Sequence, residues 1–145
     1  MMANNFQTKL RQIQAKIPQL VKRIPGIAKT EGLRFIADNF KHQGFEEKPG
    51  QYKPWQKKKK KDARKPVLIG EKRGGAMRRS WEGKSDTKHA EFSSQKPYTE
   101  VHNEGLQAGR PPGFIMPERR MIGESEAFNK RIEDKLDKMV DDVYL

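Results

Sequence analysis

The sequence contains no cysteine, which excludes disulfides, thiolate zinc sites and cysteine nucleophiles. Histidine is scarce as well. His42, His89 and His102 lie far apart, so no ligand cluster points to a metal, and neither a metal nor a cofactor is expected. Apolar residues make up only 33% of the 145 residues against 34% charged. That ratio leaves a modest core, much solvated surface and no large enclosed active-site cavity. No window approaches the roughly 20 apolar residues of a membrane-spanning helix, and the N-terminus lacks the apolar run of about 7 to 15 residues that marks a signal peptide. The expectations are no membrane partner and a chain kept in the cytosol where it is made.

What is abundant is positive charge, and it is unevenly placed. The net charge is +12: residues 1–50 hold 9 Lys/Arg and 4 Asp/Glu, residues 51–96 hold 15 and 5, and residues 97–145 hold 7 and 10. A basic middle suits a polyanion or an acidic protein surface, and an acidic end suits a basic neighbour.

The length fits one domain, divided into a helical region (1–44), a basic flexible loop (45–75) and a sheet with a closing helix (76–145). Asn4 or Asn5 can cap a helix, after which Phe6, Leu10, Ile13, Ile17, Leu20 and Ile24 recur at helical spacing. Pro18 predicts a kink or restart and Pro25-Gly26 an interruption; a second stretch, Ile27 to His42, carries Leu33, Ile36, Ala37 and Phe40 on one face and stops at Gly44, so the region reads as a helical hairpin or one bent helix. The N-terminal seam is long for the small sheet available to cover it, which invites packing between subunits.

Phe45 to Lys65 reads as a long exposed loop, and Pro66 to Gly70 as a short apolar island. Ala76 to Trp81 and Ala90 to Ser93 read as an antiparallel hairpin with Trp81 and Phe92 on its apolar face. Tyr98 to Gly105 predicts a short helix ending at Gly105, Leu106 to Gly113 an irregular loop, and Phe114 to Met116 the last strand. From Glu124 or Ser125 a final helix aligns Phe128, Ile132, Leu136, Met139 and Val143. The predicted class is therefore α+β: an N-terminal helical region, a small antiparallel sheet, a C-terminal helix packed on that sheet, and long mobile loops.

Three constellations bear on chemistry. Lys57, Lys58, Lys59, Lys60 and Lys61, with Arg64 and Lys65, form a basic patch beside Tyr52 and Trp55; it suits phosphates with an aromatic stacked on a base, or else a solvated loop facing an acidic protein. Gly70 to Gly75 lacks the Gly-Lys-Ser/Thr ending of a phosphate loop, which argues against nucleotide hydrolysis. His102 stands near Glu100, Asn103 and Glu104, but no nucleophile accompanies it, so a hydrogen-bonding role outweighs catalysis and no catalytic residue is assigned.

Taken together, the Trp55 loop, Met77-Arg78-Arg79-Ser80-Trp81, the stretch Pro97 to Gly105 that includes Tyr98 and His102, and Arg110 to Pro117 before an acidic-started helix resemble the phage virion morphogenesis family, which includes tail-completion proteins. The order and spacing match over roughly residues 30–142. In that family a compact Arg-Pro-Phe strand is usual, and here Pro112 and Gly113 interrupt it. The resemblance implies a non-enzymatic structural protein of the virion neck, assembled in the bacterial cytoplasm. It would complete the tail or join it to the head connector as a homo-oligomeric ring, in contact with neck, connector or tail proteins, with DNA passing through its channel. Arg78, Arg79, Ser80, Tyr98, His102 and Gly105 would be its structural motif residues. Docking is expected at Tyr52, Trp55, Val67, Leu68, Ile69 and Phe114. A small basic nucleic-acid-binding protein acting through Lys57–Lys61 is the alternative.

Overall fold

A computed structural model describes residues 2–57, 67–68 and 76–144. The two expected N-terminal helical stretches are one element, α1 (Met2–His42), with Pro18 and Pro25 both inside it. At 1.5 Å per residue it is about 60 Å long. Of the two expected forms, a helical hairpin or one bent helix, the hairpin does not occur, because each proline removes a single backbone donor and leaves the flanking bonds in place. Pro25 is itself buried, and packing there offsets part of that loss.

Gln43, at φ 54°, takes the left-handed position that stops α1, while its side chain donates to Phe40 O at 2.8 Å. Gly44 is needed for a different reason. A Cβ there would stand 2.6 Å from Lys53 O in the facing strand.

The expected loop from Phe45 begins instead as a hairpin. β1 (Gly44–Lys48) pairs antiparallel with β2 (Gln51–Pro54), Phe45 facing Lys53 and Glu46 facing Tyr52, around a turn in which Gly50 has φ 75°. The Glu46 carboxylate accepts the Gly50 N–H at 2.9 Å and so closes that turn.

The next segment also differs from its strand reading. Ala76–Arg79 is a helical turn, α2, and the strand starts only at Trp81: β3 (Trp81–Ser85) pairs with β4 (Ala90–Ser94). Trp81 and Phe92 share the face turned to the core, as their alternation requires. This hairpin approaches α1 closely because two glycines make room: a Cβ on Gly32 would fall 2.1 Å from the Phe92 ring, and one on Gly83 2.8 Å from Lys29 Cγ.

The short helix α3 (Tyr98–Glu104) ends where expected, with Gly105 left-handed at φ 69° and its N–H on Val101 O. β5 (Gln107–Ala108) and β6 (Phe114–Ile115) then form a third hairpin, so Leu106 to Gly113 is an ordered turn rather than an irregular loop. The expected single small sheet is thus three separate two-stranded ladders among the described residues. Ser125 accepts the Phe128 N–H and caps α4 (Glu126–Tyr144), which lies against α1 and β1. The class is α+β, as the patterning predicts.

Two apolar clusters sit on either side of α1. Ile36, Phe40, Trp55, Val67, Met77 and Met121 form one; Phe35, Phe45 and Ala127 form the other, with Phe128 against it. Edge-to-face ring contacts join Phe40 to Trp55 at 5.3 Å and Phe35 to Phe45 at 5.5 Å. Polar side chains fasten the intervening backbone. Asn39, fully buried, donates to Met121 O at 2.9 Å and accepts the Glu46 N–H at 3.1 Å, and Asn103 accepts the Met121 N–H at 2.7 Å. Arg131 reaches from α4 to Asp38 at 2.8 Å and Glu46 at 3.0 Å, binding helix, hairpin and helix together.

Candidate docking surfaces

Several residues expected at a partner surface belong to the interior. Trp55 is buried and its indole Nε1 donates to Arg120 O at 2.9 Å, while Val67 is buried in the same cluster with both backbone groups held by the Gln43 amide. Leu68 packs partly buried on that cluster. Tyr52 is half-buried and stacks on His42 with ring centroids 4.0 Å apart. Burial, then the nearby Glu46 and Asp38 carboxylates, raise its hydroxyl above the ordinary tyrosine value, so it remains protonated. Burial therefore corrects Trp55 and Val67 as docking residues. It also removes Trp55 as a stacking platform for a base. Ile69 lies outside the described residues, as do Lys58, Lys59, Lys60, Lys61, Arg64 and Lys65 of the basic patch; Lys57 is exposed.

The motif residues are mostly structural. Ser80 donates to Met77 O at 2.6 Å and shares a hydrogen bond with Ser94, which in turn bonds to Thr99 at 2.9 Å; this hydroxyl chain ties α2, β4 and α3. Arg78 and Arg79 are exposed, and Tyr98 is at the border of exposure. Gly105 has no room for a side chain, since a Cβ would meet Glu118 and Met116 O at 3.0 to 3.1 Å. His102 is half-buried, and its backbone carbonyl accepts the Arg119 N–H at 2.8 Å. Its ring Nδ1 is buried without a hydrogen-bond partner. Burial, and secondarily the Arg119 charge, hold its pKa below the usual histidine range, so the ring is neutral near pH 7. Asn103 is committed to the backbone, its side-chain oxygen accepting the Met121 and Ile122 N–H groups.

Among the described residues most of the large exposed apolar side chains lie in two other places. Phe6 is 68% exposed and Ile17 49%, with Leu10, Ile13 and Val21 also open to solvent, all along the first half of α1. α4 runs antiparallel to α1, with Arg131 at Asp38, Lys135 near Glu31, and Met139 Sδ 3.8 Å from Arg23. Its stripe thus covers the seam of α1 back to the level of Arg23, and from there the same seam continues as an arm. Residues 5–19 are exposed throughout. The first 30 residues of the chain contain no Asp or Glu, so the arm's charges, Lys9, Arg11, Lys16, Lys22 and Arg23, are all positive.

The second place is the β5–β6 hairpin. Phe114 is 55% exposed and Ile115 71%, on opposite faces, and Leu106 at its base is 40% exposed. Phe114 alone was expected there; Leu106 and Ile115 add to it. Exposed carboxylates stand next to the hairpin in the chain: Glu104 on α3, and Glu118, which meets Arg120 at 2.9 Å. A mixed-charge groove of about 630 Å³ between Lys53, Glu118, Glu124 and Asn129 lies below. Its one hydroxyl nucleophile candidate, Ser125, is committed to capping α4 and to Glu46 O. No cluster of His, Asp and Glu that could hold a metal ion occurs among the described residues, and none of their helices is long and apolar enough to cross a membrane.

A family model described as the phage virion morphogenesis family matches residues 8–141. No curated protein and no solved structure matches the chain.

Proposed function

The chain belongs to the phage virion morphogenesis family, and we propose that it acts in the virion neck, completing the tail or joining it to the head connector as a subunit of a homo-oligomeric ring. A structural role in building the virion follows from the family itself; the place and the ring are the further step. The observation that carries the reading is the division of the surface. Large apolar residues are exposed mainly on two elements, the α1 arm and the β5–β6 hairpin, while the remainder is closed by buried aromatics and side chain–backbone bonds. Such patches mark protein contact surfaces. A subunit that must adhere on two sides without unfolding is what a ring between two larger assemblies requires. The lysine-rich segment from Lys57 then faces either DNA in the channel or an acidic neighbour.

Phage particles lacking this protein provide the test. DNA-filled heads and full-length tails should accumulate unjoined, and adding purified protein to the mixed extract should restore infectious particles. Empty heads, or joined particles with a defect elsewhere, would overturn the neck assignment. Replacing Lys57–Lys61 with serine should leave the fold intact and lower joining. The same protein should lose affinity for DNA, in a salt-dependent way, only if the segment faces DNA. Deletions meant to probe this segment must spare Gln51 to Trp55, because β2 and the buried indole belong to the core.

A further inference from the structure

Phe6, Leu10, Ile17 and Val21 leave the arm's apolar seam open to solvent among the described residues, and the seam is continuous with the α1–α4 interface. That interface shows what the seam accepts: an apolar surface flanked by groups that tolerate cations. The described residues offer three candidates for its cover. A second arm would bring Lys9, Arg11 and Lys16 against their own counterparts, and like charges at close range oppose such a contact. The outer face of α4 is acidic at Glu133, Asp137 and Asp141 but offers little apolar surface beyond Val140, which is 40% exposed. The β5–β6 hairpin has both properties. Phe114 is open to solvent on one face and Ile115 on the other, with Leu106 at the base; the exposed carboxylates next to it in the chain are Glu104 and Glu118, the latter paired with Arg120, and Arg110 stands exposed in the turn.

We propose that the α1 arm of one copy docks on the β5–β6 hairpin of the next copy. This rests on the ring reading above and supplies its joint. Phe6, Leu10 and Ile17 would lie along Phe114 and Leu106, and the helical period places Lys9 and Lys16 on one flank of that stripe and Arg11 on the other, toward the carboxylates. Residues 6–19 reach about 20 Å beyond the end of the α1–α4 contact, enough to cross to a neighbour rather than fold back. The contact is heterologous: donor and acceptor surfaces differ, so a growing chain of copies keeps one free surface at each end until the rotation between neighbours brings the ends together as a ring.

Sedimentation velocity on the full-length protein, from about 1 to 300 μM, tests this. Wild-type protein should associate beyond a dimer as concentration rises. An arm variant, Leu10→Asp with Ile17→Asp, and a hairpin variant, Phe114→Asp with Ile115→Asp, should each remain monomeric at the highest concentration. Because all four side chains are exposed, thermal melts of the dilute variants should match wild type. The discriminating sample is the equimolar mixture, since the arm variant keeps an intact hairpin and the hairpin variant an intact arm. It should form 1:1 dimers and nothing larger. A monomeric mixture also overturns the proposal, as do a wild-type protein that stays monomeric and a variant that associates like wild type. The ring reading is separable: an arm variant that still restores joining of heads and tails leaves the neck assignment standing and removes only this joint.

Discussion

The two halves of α1 share one apolar spacing and meet opposite surroundings. From Ile24 to Phe40 the helix is enclosed by α4, β1 and the β3–β4 hairpin, with Phe35, Ile36, Asn39 and Phe40 at 0 to 1% exposure. In the first half Phe6, Leu10, Ile13, Ile17 and Val21 stand 38 to 68% exposed. Helical period therefore reports that a face exists and not what covers it. Charge separates the halves better. The buried half carries Glu31 and Asp38, which receive Arg34, Lys135 and Arg131, whereas the arm has only cations and no acid with which to bind α4's basic residues.

The largest effect expected from breaking the buried half is at Phe35. Its ring lies 5.5 Å from Phe45 and 5.2 Å from Phe128, and the Arg131 guanidinium sits over it at 5.4 Å. Phe35→Ala removes the centre of the second cluster and leaves a cavity that three elements cannot jointly fill. The loss should be about 3 to 5 kcal/mol, read as a lowered midpoint in urea with the slope unchanged. A loss below about 1 kcal/mol would mean that α4 and β1 do not depend on this contact.

A smaller effect should appear with pH at the half-buried turn after α3. His102 is held neutral by burial and by Arg119, so its folded pKa lies below that of the unfolded chain. The unfolded chain then binds the proton first, and stability rises with pH across the interval between the two values. The contribution is complete above about pH 6.5 and is lost as pH falls from there toward the folded value. His102→Gln should flatten the change in melting temperature between pH 7.5 and 5.5 relative to wild type. An equal slope in both proteins would place the acid sensitivity in other groups.

Much of the architecture was legible from local signals. The two long amphipathic helices, the stop at Gly105, the Ser125 start and the Trp81/Phe92 face follow from spacing, caps and alternation, which are properties of neighbouring residues. The β1–β2 hairpin is not legible, although Pro49-Gly50 is a turn pair, because a charged strand with Glu46 in its middle lacks the apolar alternation of a half-buried one. Glu46 is buried because Arg131, 85 residues later, meets its carboxylate, and Asn39 receives its N–H. Trp55 was misplaced for the same reason. Its indole needs a polar partner once buried, and that partner is Arg120 O, 65 residues away. At the exposed apolar surfaces the arm's stripe and its excess over the small sheet are legible in the sequence, but the point at which the seam opens is not, since that depends on where α4 ends. The absence of Asp and Glu from the first 30 residues is the one sequence signal that could have marked it.

The arm should give the smallest change, and one of opposite sign. Ile17 is 49% exposed, so Ile17→Ala forfeits little burial, and alanine is the better helix former by a few tenths of a kcal/mol. In dilute solution the variant should melt within about 1 °C of wild type or slightly above it, because the arm adds nothing to the closed half of the molecule. At high concentration the ordering reverses. With the proposed joint in place, wild-type protein should gain stability by binding its own copies, an increment that grows with concentration, and the variant should gain less because its seam is smaller. Melting curves taken at 1 and at 300 μM separate the two contributions. Destabilisation of about 2 kcal/mol or more at the lower concentration would show that the arm packs within its own chain, and the distinction between the two halves of α1 would fail.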